Sequence, residues 1–403
     1  MAQEWSMVQN DSQHSGSVQT GPTPPLKRIW RSQATSSDSF TTWPIVSKGV
    51  VYASSGPGVL AVRAQDGKRI WFTQPKEGQK QVSPALDDKA LYIPIPHAQV
   101  LALDRRTGQE IWRFQADESI NASPSIVGDK LYFGSADASV FYCVSTEGHL
   151  VWKKTTELLP NSIPAIANGI VVFPTEHIGS DRVLVLALNA DTGAEVWHSE
   201  QKEGTTSPSI LGESVVFGGG DFFAHTLDLR TGREIWKSPV EGKFSERNIP
   251  ALAFGDVFLA DRDGAIYRLD GSTGKRKWIF KDTEGTMDQS FPVIAGKTLF
   301  IGSGSGGLYA LDTDTGHLLW KGQVNGFVLS GAADSEHFYF GVKFGDEGLY
   351  AYGHDPNGKL YSAPASPGSA RSLVSGSVLF ALVLGVAVIL LRRRFKRAGD
   401  VSR

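Results

Sequence analysis

The chain has 403 residues, 41% of them hydrophobic and 20% charged, long enough that an all-β closed array can absorb it as one body. The net charge of −2 hides an asymmetry: seven basic residues and one acidic residue lie from Arg371 onward, which leaves 33 basic and 41 acidic before it, so the body stands at about −8 and the tail at about +6. A mildly acidic body argues against duplex nucleic acid as partner, and a single cysteine, Cys143, excludes an intramolecular disulfide, a cysteine-based zinc site and covalent haem attachment.

Residues 1–25 read as an N-terminal extension. Eight tryptophans then recur at Trp30, Trp71, Trp112, Trp152, Trp197, Trp236, Trp278 and Trp320, with gaps of 41, 41, 40, 45, 39, 42 and 42 residues. Such regularity marks one supersecondary unit repeated along the chain. Leu26–Trp30 is an orphan strand at the start. Seven complete units follow, each entered by a proline such as Pro84, Pro124 or Pro208 and ended by its tryptophan. In the third unit the strand signals are Ser125–Val127, Lys130–Gly134, Val140–Val144 and Leu150–Lys153, which predicts a four-stranded antiparallel meander.

The third-to-fourth strand turn is the most regular element: Leu103-Asp104-x-x-Thr107-Gly108, Leu227-Asp228-x-x-Thr231-Gly232, Leu269-Asp270-x-x-Thr273-Gly274 and Leu311-Asp312-x-x-Thr315-Gly316. Asp accepts turn amides, Gly supplies positive φ, and Trp follows Gly by four residues, an offset that predicts a ring docked between neighbouring sheets. Cys143 occupies the leucine slot of this frame and is expected to be a buried small hydrophobe. An eighth unit starts near Gly331 but ends poorly, with Gly353 in the Asp slot and Tyr361 in the Trp slot. Pairing it with 26–30 closes the ring and removes free sheet edges. The expected fold is therefore an all-β, eight-bladed β-propeller of four-stranded blades over residues 26–362.

First-to-second turns and the Asp-x-x-Thr-Gly turns share one uniform face. Second-to-third loops and blade crossings share the other, where length and chemistry vary, so that face is the expected binding surface. The candidate partner-binding residues are Glu176, His177, Asp181 and Arg182 in the long loop of the fourth unit, Asp221 and Phe222 in the fifth, Arg247 before the sixth, and Asp261 and Arg262 within it. Glu176, His177 and Asp181 also permit a small metal or acid–base cluster, against which stands an ordinary solvated polar loop. No nucleophile elbow or phosphate-binding loop is present, and no catalytic residue, metal or cofactor is assigned.

The motif Leu-Tyr-Ala-Leu-Asp-x-x-Thr-Gly-x-x-x-Trp at Leu308–Trp320 resembles the tryptophan-docking motif of quinoprotein-type (PQQ-like) repeats, and Glu4–Gly16 resembles the leader that precedes such propellers in exported bacterial proteins. The resemblance covers residues 4–362 and implies the propeller fold. It points to two classes: quinone-dependent dehydrogenases, and non-enzymatic propellers such as the one in the outer-membrane β-barrel assembly machinery. The dehydrogenase class carries an adjacent cysteine pair, which lone Cys143 rules out. The expected function is thus a non-catalytic protein-binding scaffold or assembly factor of the cell envelope, with a protein or peptide partner and no nucleic acid. The alternatives are a redox enzyme and a small-ligand sensor.

Residues 363–371 read as a linker. From Ser372 to Leu391 run 20 residues without a charge, about 30 Å as a helix, which predicts a single transmembrane span over 372–391. The basic tail 392–403 then belongs in the cytosol and the propeller outside it. No secretory signal precedes Glu4 in this sequence, so the expectation rests on a start downstream of a removed signal; the opposing arrangement is a tail-anchored protein with a cytoplasmic propeller. A reporter fused after Arg403 is expected to be protected from external protease while the propeller is cut. A protected propeller with an accessible tail reverses the topology.

Overall fold

The computed structural model describes residues 5–32, 42–56, 58–76, 82–135, 139–160, 162–176, 182–245, 248–281, 284–287 and 289–361. The expected membrane span 372–391, the linker and the basic tail lie outside them. Among the described residues no helix is long and apolar enough to cross a membrane.

Eight antiparallel sheets follow one another along the chain. In the third blade the strands are Ser125–Val127, Lys130–Ser135, Val140–Ser145 and Leu150–Thr155. The two middle strands lie between neighbouring blades, so both of their faces are buried, as in the continuous apolar run Leu131-Tyr132-Phe133. The outermost strand is covered on one face only, and Glu234–Pro239 alternates accordingly around buried Trp236. The eighth blade takes Phe327–Ala333, His337–Lys343 and Gly348–His354 from the C-terminal end and Leu26–Ser32 from the N-terminal end. Leu26 pairs with His354 and Trp30 with Ala351, so the ring is closed by hydrogen bonds between the two ends of the propeller.

Seven of the eight tryptophans dock as the spacing predicts. Seven indole N–H groups donate to a carbonyl in the next blade's third-to-fourth turn: Trp30 to Ala64 (2.7 Å), Trp71 to Arg105 (3.1 Å), Trp112 to Thr146 (2.8 Å), Trp152 to Ala190 (3.0 Å), Trp197 to Leu229 (2.7 Å), Trp236 to Gly271 (3.0 Å) and Trp278 to Thr313 (2.8 Å). Each ring lies flat against the turn glycine of that neighbour. At Gly232 φ is +69°, and a Cβ would stand 2.6 Å from the Trp197 ring, so conformation and space both demand glycine. The turn itself is set by Asp228, whose Oδ1 accepts from the Thr231 amide (2.8 Å) and hydroxyl (2.7 Å). Those bonds hold its carboxyl below the usual carboxylate range. Cys143 is fully buried and its thiol is pushed up to about 12 by burial, the inert behaviour expected of it.

One feature of the extension was not expected from its sequence. Residues 5–18 wind inside the ring and cap the inner strands. The carbonyls of Trp5, Ser6, Ser12, Gln13, Ser15 and Gly16 accept from the amides of Val46, Leu86, Ile166, Ile210, Leu252 and Ile294 at 2.6–3.0 Å, one amide in each of blades one, two, four, five, six and seven. Ser17–Val18 then adds a parallel strand to Val293–Ala295. Amides on an inner edge need acceptors once water is excluded, and this segment supplies them. His14 is fully buried within it, with Nδ1 2.7 Å from the Pro208 carbonyl oxygen. Burial pushes its pKa down from 6.5 to about 4, against smaller opposing effects of the Pro208 bond and Asp11.

Two predictions follow from these contacts. Gly232→Ala should cost about 2–4 kcal/mol of stability through backbone strain and a displaced indole, read as a lower denaturant midpoint; an unchanged midpoint rejects the docking argument. For His14, the unfolded chain takes a proton near pH 6.5 while the folded chain resists until about pH 4. Stability therefore falls as pH drops through that window, by up to about 3 kcal/mol. In His14→Asn, which tolerates the φ of +57°, the difference between urea midpoints at pH 7 and pH 4.5 should shrink; an equal difference removes His14 from the account.

Candidate functional site

The residue before each entry proline stands at the mouth of an inner strand, extended by the proline that follows it. This one column of the repeat reads Trp43, Ser83, Ser123, Ile163, Ser207, Ile249 and Phe291. Six of these seven, all but Phe291, line a central funnel of about 430 Å³. The rest of its wall comes from the ends of second strands and from blade crossings, among them Glu176, Thr205, Gln289 and Lys343, which places it on the variable face. Three members of this column, Ile163, Ile249 and Phe291, pack with Val8 of the inserted segment in one apolar cluster, with Trp43 against it.

The serines of the column join blade to blade. Ser83 Oγ accepts from the Trp43 amide (2.9 Å), Ser123 Oγ from the Ser83 amide (2.9 Å) and Ser207 Oγ from the Ile163 amide (3.1 Å). Thr205 Oγ1 is buried without a hydrogen-bond partner. Across the funnel, buried Lys343 donates to Gln289 Oε1 (2.5 Å), with its ammonium 4.9 Å from the Phe327 ring centre and 5.3 Å from that of Phe344. The wall is thus rich in donors, with one cation and one carboxylate, Glu176, among its described members.

The residues expected from sequence fall on blades four to six. Glu176 ends the strand Ile170–Glu176 and is the one among them that lines the funnel. Arg182 opens the next strand and is held outside it by Glu157 and by Glu200 (2.9 Å). His177, Asp181 and Arg247 lie outside the described residues, and with them the Glu176–His177–Asp181 grouping. The fourth unit carries longer strands: its last three span 7, 8 and 8 residues, against 6, 6 and 6 in the third.

Asp221 and Asp261 turn out to be loop anchors. Asp221 holds His225 Nε2 at 3.0 Å. Asp261, fully buried, accepts from the Tyr267 hydroxyl (2.6 Å) and from the Asp263 (3.0 Å) and Ala265 (2.9 Å) amides. Phe222 is 42% exposed at φ +66° with the Lys243 ammonium 5.3 Å over its ring, and Arg262 is exposed beside Asp261. The funnel column and Lys343 were missed by sequence reasoning. The column was available by reading one residue before each aligned proline, whereas Lys343 sits in a strand that otherwise reads as core.

Among the described residues no group of three or more His, Cys, Asp or Glu is placed to hold a metal ion, and Cys143 is buried in the third blade with no neighbouring cysteine.

The fold and its docking motif define a PQQ-like repeat propeller. The sequence profile of the family described as outer membrane protein assembly factor BamB matches residues 27–113, 96–249 and 181–327, and the chain belongs to that family. BamB of Burkholderia pseudomallei is 27% identical over 185 residues, 43% of this chain and 46% of that protein. A tetrathionate hydrolase of Acidithiobacillus ferrooxidans is 26% identical over 201 residues, 44% of this chain and 40% of that protein. The chain thus spans about half the length of the curated relatives it matches. In fold it is similar to BamB of Moraxella catarrhalis (TM-score 0.65, 17% identity, 81% of this chain and 99% of that one). It is similar as well to a europium-containing methanol dehydrogenase (TM-score 0.72, 15% identity, 87% of this chain and 98% of that one). The fold is therefore shared by assembly factors and enzymes, and it does not choose between them.

Proposed function

We propose that the chain is a non-catalytic propeller of the cell envelope, held to the membrane by 372–391, which binds a protein partner and acts in assembly. The observation that carries this reading is the family match over residues 27–327. The contact patch is assigned to the variable face of blades four to six. Arg182, Asp221, Phe222 and Arg262 are its described members, Glu176 borders the funnel beside it, and His177, Asp181 and Arg247 are its expected ones. An exposed Phe and Arg on rigid loops are the residue types that anchor protein interfaces.

The similarity to a methanol dehydrogenase and a tetrathionate hydrolase keeps a redox or hydrolytic activity as the second reading. A photo-crosslinking residue placed at Phe222 in intact membranes should capture a discrete envelope protein, and one at Phe254, exposed on the uniform face, should not. Capture from both positions alike dismisses the patch. Adding the quinone with Ca²⁺ and an alcohol, or tetrathionate alone, should give no turnover; sustained turnover of either overturns the non-catalytic reading.

A further inference from the structure

The funnel carries opposite charges on opposite walls. Lys343 ends the second strand of the eighth blade, and Glu176 ends the second strand of the fourth. In an eight-fold ring those blades face each other across the axis, and both residues line the same cavity. Between them the wall offers hydroxyl donors. The oxygens of Ser83, Ser123 and Ser207 each accept a neighbouring blade's amide, which leaves the hydroxyl proton for a further acceptor. Thr205, 7% exposed, lines the same cavity with no partner for Oγ1. A buried hydroxyl left alone destabilises the fold, so such a group marks a place where something polar belongs.

We infer that this funnel binds a small zwitterion of the short-peptide class. The ligand carboxylate meets the Lys343 ammonium and the serine hydroxyls. Its ammonium meets the Glu176 carboxylate, and its apolar side chains rest on Ile163 and Ile249. The cavity of about 430 Å³ lies within the range of small-ligand pockets and admits a dipeptide. Among the described lining residues the one cation, Lys343, disfavours a simple cation as ligand, and the one carboxylate, Glu176, disfavours a simple dianion. The site requires no protein partner at the outer loops and stands apart from that reading.

The test is calorimetric titration of the detergent-solubilised full-length protein with alanylalanine, its N-acetyl form, its C-terminal amide and succinate. The free dipeptide should bind saturably below about 1 mM, with each blocked form and succinate at least about tenfold weaker. Glu176→Gln should cost the free dipeptide about tenfold and leave the N-acetyl form's affinity unchanged. Lys343→Met should do the same with the amide as the insensitive ligand. Should Lys343→Met fail to fold, as judged by its thermal midpoint, the Glu176→Gln pair decides. Absence of binding up to about 10 mM, equal binding of free and blocked forms, or an equal loss for the N-acetyl form in Glu176→Gln overturns the inference.

Discussion

Everything in this propeller hangs on an indole N–H reaching a carbonyl in the following blade. Donor and acceptor are 34, 34, 34, 38, 32, 35 and 35 residues apart around the ring. The bond, the glycine beneath the ring and the Asp-capped turn all sit at one end of the blade. Residues added near that end would push the tryptophan out of register with its glycine. Residues added at the other end lengthen a hairpin and leave the junction intact. The fourth blade shows this: its strands are longer, its separation rises to 38, and Trp152 still meets Ala190 at 3.0 Å. A uniform face and a variable face are two consequences of one contact.

The same economy governs the funnel. A column one residue before the entry proline is free to change because its backbone duty, an extended entry to the inner strand, is met by the proline. Here that freedom places serine in three blades, isoleucine in two and aromatic rings in two. Scaffold and lining can therefore evolve apart.

Much of the ring was legible in the sequence because its determinants are side chains at fixed offsets: Trp four after Gly, Asp at the turn start, proline at each entry. Even closure by Leu26–Trp30 could be counted from an unpartnered fourth strand. The inserted segment was illegible for the opposite reason. Six of its bonds to the inner strands use its own backbone carbonyls, which any residue possesses. Asp261 could not be told from an interface acid because an acid on a variable loop has the same sequence appearance whether it faces solvent or ties the loop to a Tyr six residues on. Lys343 was hidden by its neighbours: a lysine at the end of the buried strand His337–Lys343 reads as the strand's boundary rather than a cation in a funnel.

The inserted segment also orders assembly in time. Residues 5–18 find their acceptor-hungry amides on strands that run from Val46 to Ile294, so the first part of the propeller to be made has no seat until the seventh blade exists. Leu26–Ser32 likewise waits for Gly348–His354. Both latches join the ends of the chain at high sequence separation, the kind of contact whose loop-closure entropy is met late. A ring cut short by even its last blade would lose a sheet and leave its N-terminal strand without a partner. Completeness of the circle, not the stability of any one blade, is what the N-terminal segment reports.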